Sequence, residues 1–141
     1  MFVDSHCHLS FPELHGRIDA VRADMAAARV DRALVICTAL EEFATVHALA
    51  HDNFWCTAGE HPDTEGLAEP DVASLQALAV LPRVVGVGET GLDYYRLNGR
   101  SVADMAWQRD RFAVHMAVAQ ALAKPLVIHT RSASDDTVAL L

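Results

Sequence analysis

The sequence predicts an α/β fold with a parallel sheet, on three observations. Short runs rich in β-branched and aromatic residues alternate with longer stretches of helical periodicity. No linker, tandem repeat or low-complexity tract interrupts the 141 residues. Polar residues recur at the carboxyl end of strand after strand, where barrels and open α/β sheets place their active sites. At 52% hydrophobic the chain can bury a core, so residues 1–141 read as a single domain.

Strands are expected over Met1–His8, Arg32–Ala39, Phe54–His61, Val84–Glu89 and Pro125–His129. Between the first two, Ile18, Val21, Met25 and Ala28 recur at helical spacing, and between the next two Phe43, Val46 and Ala50 do the same, which gives each helix one buried face. Asp71–Leu81 reads as a third helix ended near Pro82, and Ser101–Ala123 as a long fourth one stopped before Pro125. A fifth starts near Asp135, capped by Ser134 or Asp135.

Strand side chains alternate faces, so Asp4, His6 and His8 are expected on one side of the first strand and Val3, Ser5 and Cys7 on the other. The same rule aligns Trp55, Thr57, Gly59 and His61, then Val85, Val87 and Glu89, then Val127 and His129. His6, His8, Glu89 and His129 thereby become candidate metal ligands, since imidazoles and a carboxylate suit zinc, manganese or similar divalent ions. His61 reads equally as a substrate contact and as a turn residue before Pro62. His47 and His51 also have metal-pair spacing, but no Glu follows His47 and the pair lies on a covering helix, so they are set aside. His15 and His115 have no nameable partner.

The three cysteines Cys7, Cys37 and Cys56 lie in strand-like segments and read as reduced, buried thiols. No run approaches the ~18 apolar residues of a membrane span, and no signal peptide opens the chain, so a cytoplasmic protein with no membrane association is expected. A net charge of −8 argues against broad electrostatic attraction to nucleic acid. Bound cations would supply the positive charge locally.

Four stretches carry a family resemblance: Phe2-Val3-Asp4-Ser5-His6-Cys7-His8-Leu9, Gly59-Glu60-His61-Pro62, Gly86-Val87-Gly88-Glu89-Thr90-Gly91-Leu92-Asp93-Tyr94-Tyr95 and Pro125-Leu126-Val127-Ile128-His129-Thr130-Arg131. Together they resemble the TatD-type metal-dependent deoxyribonucleases, within the wider amidohydrolase-like barrels. The resemblance implies a TIM-barrel-like (β/α)8 fold with two divalent ions, Mg²⁺, Mn²⁺ or Zn²⁺. His6, His8 and Glu89 would hold one ion, with Glu89 bridging to a second that His129 reaches. It also implies a hydrolase that cleaves phosphodiesters of single-stranded DNA from the 3′ end, and RNA in some members, with no obligatory protein partner. Glu89 and His61 are the catalytic candidates, and His61, Tyr95, Arg96 and Arg131 the substrate contacts. Arg96 and Arg131 suit a phosphate or serve as ordinary loop charges, Tyr94 and Tyr95 stack on a base or pack the loop, and Asp93 supports the metal site or makes a turn.

A (β/α)8 barrel takes ~250 residues, so the sequence is expected to stop after about five βα units, with strands six to eight and their ligands absent. Two alternatives are open: a catalytically incomplete half-barrel serving only as a metal-binding or interaction module, or another amidohydrolase-like enzyme acting on amides or esters.

Overall fold

A computed structural model describes residues 1–141. The elements run in the order β1 (Phe2–Cys7), α1 (Pro12–His15), α2 (Ile18–Ala27), β2 (Val30–Val35), α3 (Phe43–Leu49), β3 (Phe54–Ala58), α4 (Val72–Ala79), β4 (Val84–Asp93), α5 (Ala106–Leu122), β5 (Leu126–Arg131) and α6 (Ser134–Leu140). Every strand pairs in parallel with its sequence neighbour, giving the order β1-β2-β3-β4-β5. Successive right-handed crossovers then lay the helices on one face, and the sheet curls into a half-barrel of the TIM-barrel-like type.

The core lies between sheet and helices. Val35, Phe54, Cys56 and Val84 from the strands meet Phe43 and Val46 of α3, Leu75 of α4 and Val118 of α5. A smaller cluster of Leu92, Tyr94, Met105, Phe112 and Ala133 closes the β4–α6 end. Full burial of a side chain such as Phe54 contributes roughly 1.5–3 kcal/mol. Ile18, Val21 and Met25 pack against this core but stay partly accessible, so α2 has a half-buried face rather than a buried one. No helix is long and apolar enough to cross a membrane.

Several expectations are corrected. β2 ends at Val35, and Cys37 lies beyond it, its N–H donating to Thr57 Oγ1 at 3.0 Å. Cys7 is half-buried, its Sγ donating to the Leu34 carbonyl. β4 runs past Glu89 to Asp93 because Gly91, Leu92 and Asp93 pair with His129, Thr130 and Arg131. α6 is preceded by Ala133, which has no side-chain cap; Ser134 and Asp135 lie inside its first turn.

Simple alternation fails in β1 and β4. Register shifts between Asp4 and Cys7 and again opposite Cys56–Thr57 reset which way the residues beyond them face. Val3 and Ser5 line the uncovered face with Leu34, Trp55 and Val85, while Val87 belongs to the helix-side core. A bulge places two residues opposite one and re-aims the side chains beyond it.

Gly91 has a φ of +125°, and a methyl group there would run into the His129 carbonyl. Gly66 has a φ of +80° with open space around it. Gly91→Ala should cost more than the roughly 1–3 kcal/mol of backbone strain alone, whereas Gly66→Ala should cost only that strain; urea midpoints of the two variants check the ranking.

Candidate metal centre

Glu89, almost fully buried at 7% exposure, stands at the centre of the strand ends. Its N–H is held by the Cys37 carbonyl at 2.8 Å. Oε2 faces His6 Nε2 at 3.4 Å and His8 Nε2 at 4.0 Å. Oε1 faces His129 Nδ1 at 3.4 Å and His61 Nε2 at 4.0 Å. Two groups of possible ligands thus share one carboxylate: His6, His8 and Glu89, and His61, Glu89 and His129. Donor atoms bound ~2.0–2.2 Å from one ion lie about 3.0–3.6 Å apart, which the two 3.4 Å separations match.

The second group is electron-rich. His129 Nε2 lies 2.9 Å from Asp93 Oδ2, and His61 Nδ1 lies 2.5 Å from Asp63 Oδ1. An ionised carboxylate only accepts, so each of those nitrogens carries the proton. The remaining nitrogens, His61 Nε2 and His129 Nδ1, then direct lone pairs at each other across 3.1 Å, with Glu89 Oε1 beside them. Such an arrangement calls for a cation or a proton in its midst, so the donor set fits a divalent ion. Carboxylates behind ligating imidazoles fix tautomer and orientation in metal sites. In the first group, burial pushes the His8 pKa down against the opposing pull of Glu89 and keeps the ring in the neutral, ligating form.

Of the candidate ligands read from the sequence, His6, His8, Glu89 and His129 come together, and His61 joins them at ligand distance. Asp93 supports His129 and is not merely a turn residue. Tyr95 and Arg131 stack on each other, the guanidinium 3.6 Å from the ring centroid. Arg96 lines a separate cavity of about 180 Å³ with Asp63, Glu65 and Asp93. None of these three lines the main cleft, of about 730 Å³, that opens from His8, His61, Glu89 and His129. Tyr94 packs in the core, its hydroxyl donating to Asp136 at 2.8 Å. His47 contacts the Pro82 carbonyl at 2.9 Å and His51 contacts Asp52, and neither joins a ligand group.

Sequence reasoning passed over the polar stripe of α5. Gln108 exchanges two hydrogen bonds with the Asp93 main chain, at 2.8 and 3.0 Å. Arg111 donates to the carbonyls of His61 and Thr64 at 2.7 and 2.9 Å and pairs with Glu69. His115 Nε2 accepts from the Glu60 N–H at 3.0 Å, while its Nδ1 meets the Arg111 carbonyl at 2.8 Å. All three are buried, and they tie down the segments carrying His61 and Asp93. The available signal was their spacing, three and four residues apart between Met105, Phe112 and Val118.

A parallel α/β half-barrel with a His/Glu constellation at its carboxyl strand ends defines a metal-site α/β barrel class. The TatD related DNase family matches residues 3–141, and the chain belongs to that family. It is 38% identical to the uncharacterized metal-dependent hydrolase YcfH of Escherichia coli (strain K12) over 99% of this chain and 52% of that protein. It is also 38% identical to a protein of Cronobacter turicensis named 3′-5′ ssDNA/RNA exonuclease TatD, over 87% of this chain and 46% of that one. The crystal structure of the TatD homologue YJJV from E. coli superposes with a TM-score of 0.87 at 29% identity, covering 98% of this chain and 54% of that one. The chain spans about half the length of the curated relatives it matches.

Burial pushes the His115 pKa from 6.5 down to about 4. A lowered histidine is neutral in the folded state, so the unfolded chain takes up the proton first. Stability is full above pH 6.5 and falls toward pH 4, by on the order of 3 kcal/mol from this group. His115→Gln should flatten that part of the slope, as read from denaturant midpoints across pH 4–7.

Proposed function

We propose that this chain carries a two-ion phosphodiester hydrolase site acting on single-stranded DNA from the 3′ end, with RNA as a second substrate. The observation that carries the reading is the division of one buried carboxylate between two histidine pairs, Oε2 toward His6 and His8 and Oε1 toward His61 and His129. Family membership and the Cronobacter relative's name supply the substrate class. Divalent ions, when bound, would polarise the phosphoryl oxygen and lower the pKa of a water.

The chain's own residues supply the rest. His6, His8 and Glu89 would hold one ion, and Glu89 with His129 the other. Asp93 holds His129 with Nδ1 inward, and Gln108 holds the Asp93 main chain. His61, its Nδ1–H donating to Asp63, presents Nε2 at the same centre, where it would serve as a further ligand to the second ion. The Arg131–Tyr95 pair offers a guanidinium to a neighbouring phosphate. The three free cysteines suit a reducing compartment, which favours a cytoplasmic setting.

A second reading is ion binding without turnover, which the two ligand groups around Glu89 would support by themselves. Titration calorimetry with Mn²⁺ and cleavage of 5′-labelled single-stranded DNA separate the two. Two ions bound, with shortening from the 3′ end that EDTA abolishes, are expected; ion binding without cleavage would select the second reading, and cleavage indifferent to EDTA would overturn both. Glu89→Ala should lose both ions, whereas His47→Ala, outside either ligand group, should bind as the parent does.

A further inference from the structure

We propose that the cleft beside His8 is a nucleobase subsite with Phe11 as its stacking platform, an inference that rests on the nucleic-acid reading above. Phe11 comes shortly after His8, in the turn between β1 and α1. Its N–H donates to the His8 carbonyl at 3.3 Å, its own carbonyl accepts from Leu14 and His15 at 2.9 and 2.8 Å, and Pro12 fixes the next residue at the helix start. These bonds and the proline fix the backbone under the ring. The ring lies near-parallel to the His8 imidazole, centroids 5.0 Å apart at 17°, yet stays 40% exposed on the wall of the cleft. An aromatic face held rigidly and left open beside a reaction centre is what base stacking uses.

The chemistry of the other walls selects the class of group. No Lys or Arg lines this cleft; Glu13 and Glu42 do, with the hydroxyl-bearing Ser10, Thr38 and Thr45. Apart from the ion ligands at its floor, this cleft would offer a phosphate carboxylates and no cationic side chain, and the guanidinium of Arg131 lies outside, stacked on Tyr95. The group that fits is uncharged, planar and able to donate hydrogen bonds. A nucleobase meets these conditions, the amino groups of adenine, cytosine and guanine or the ring N–H of thymine and guanine facing carboxylate and hydroxyl acceptors. The volume of about 730 Å³ leaves room for the attached sugar. The substrate would therefore set its backbone across Glu89 and turn one base toward Phe11.

The test is an abasic scan. Fluorescein-labelled single-stranded hexanucleotides with phosphorothioate linkages, each lacking one base in turn, are titrated by anisotropy against the chain in Mn²⁺. For the parent, one abasic position should weaken binding about tenfold. Phe11→Ala should weaken the intact strand by a similar factor and abolish the penalty at that position alone, with Phe11→Trp restoring both and circular dichroism confirming that each variant is folded. A folded Phe11→Ala with the parent's abasic profile overturns the subsite and leaves the nuclease reading standing. A parent chain with no Mn²⁺-dependent binding of the intact strand overturns that reading and the subsite together.

Discussion

Glu89 must satisfy two opposed demands: a carboxylate wants water or hydrogen-bond donors, yet its position makes it nearly inaccessible and surrounds it with imidazoles. Burying an uncompensated charge costs several kcal/mol, and the usual escapes are protonation, ion pairing or a metal. Four imidazole nitrogens lie within 4.0 Å of its two oxygens, but at least two of them present lone pairs rather than protons. The electrostatics of the centre are thus balanced only by added positive charge. The strand ends, the glycines of β4 and the buried stripe of α5 all serve to hold this arrangement against its own repulsion.

That dependence explains why β4 is built as it is. A side chain at Gly59 would collide with the Gly88 backbone, and one at Gly88 with the Val127 carbonyl. β3, β4 and β5 approach too closely for any residue with a Cβ at these points. The tight approach brings His61, Glu89 and His129 from three different segments into one group, so the glycine just before Glu89 is a packing requirement before it is a chemical signature.

Much of this was legible in the sequence, and the failures have identifiable causes. All five strands were placed, because β-branched runs bounded by turn signals are local features. The ligand candidates His6, His8, Glu89 and His129 were grouped by strand-end position, and the structure brings them together. The parity rule used alongside it misplaced Val87, because a register shift depends on how a neighbouring strand pairs and leaves no mark in its own strand's alternation. Asp63 was missed for a related reason: only the path of the chain after β3 brings it behind His61. His115 lacked a partner in sequence because that partner, the Glu60 N–H, is 55 residues away. Long-range main-chain contacts of this kind have no local signal beyond an unexplained polar stripe on a buried helix.

The net charge of −8 and a cleft without cationic side chains look ill-matched to a polyanionic ligand. The conflict resolves if positive charge arrives with the ions. Two divalent ions would add four positive charges where field lines are concentrated by low-dielectric walls, and a carboxylate-lined cleft alongside would then repel phosphate while the ion site attracts it. On the proposed reading the acidic wall would act on orientation, leaving one favourable way to lay a strand, backbone over the ions and base into the cleft. On this view the acidity of the chain is part of how the substrate is aligned, and an ion-free protein should repel the ligand that the loaded one binds.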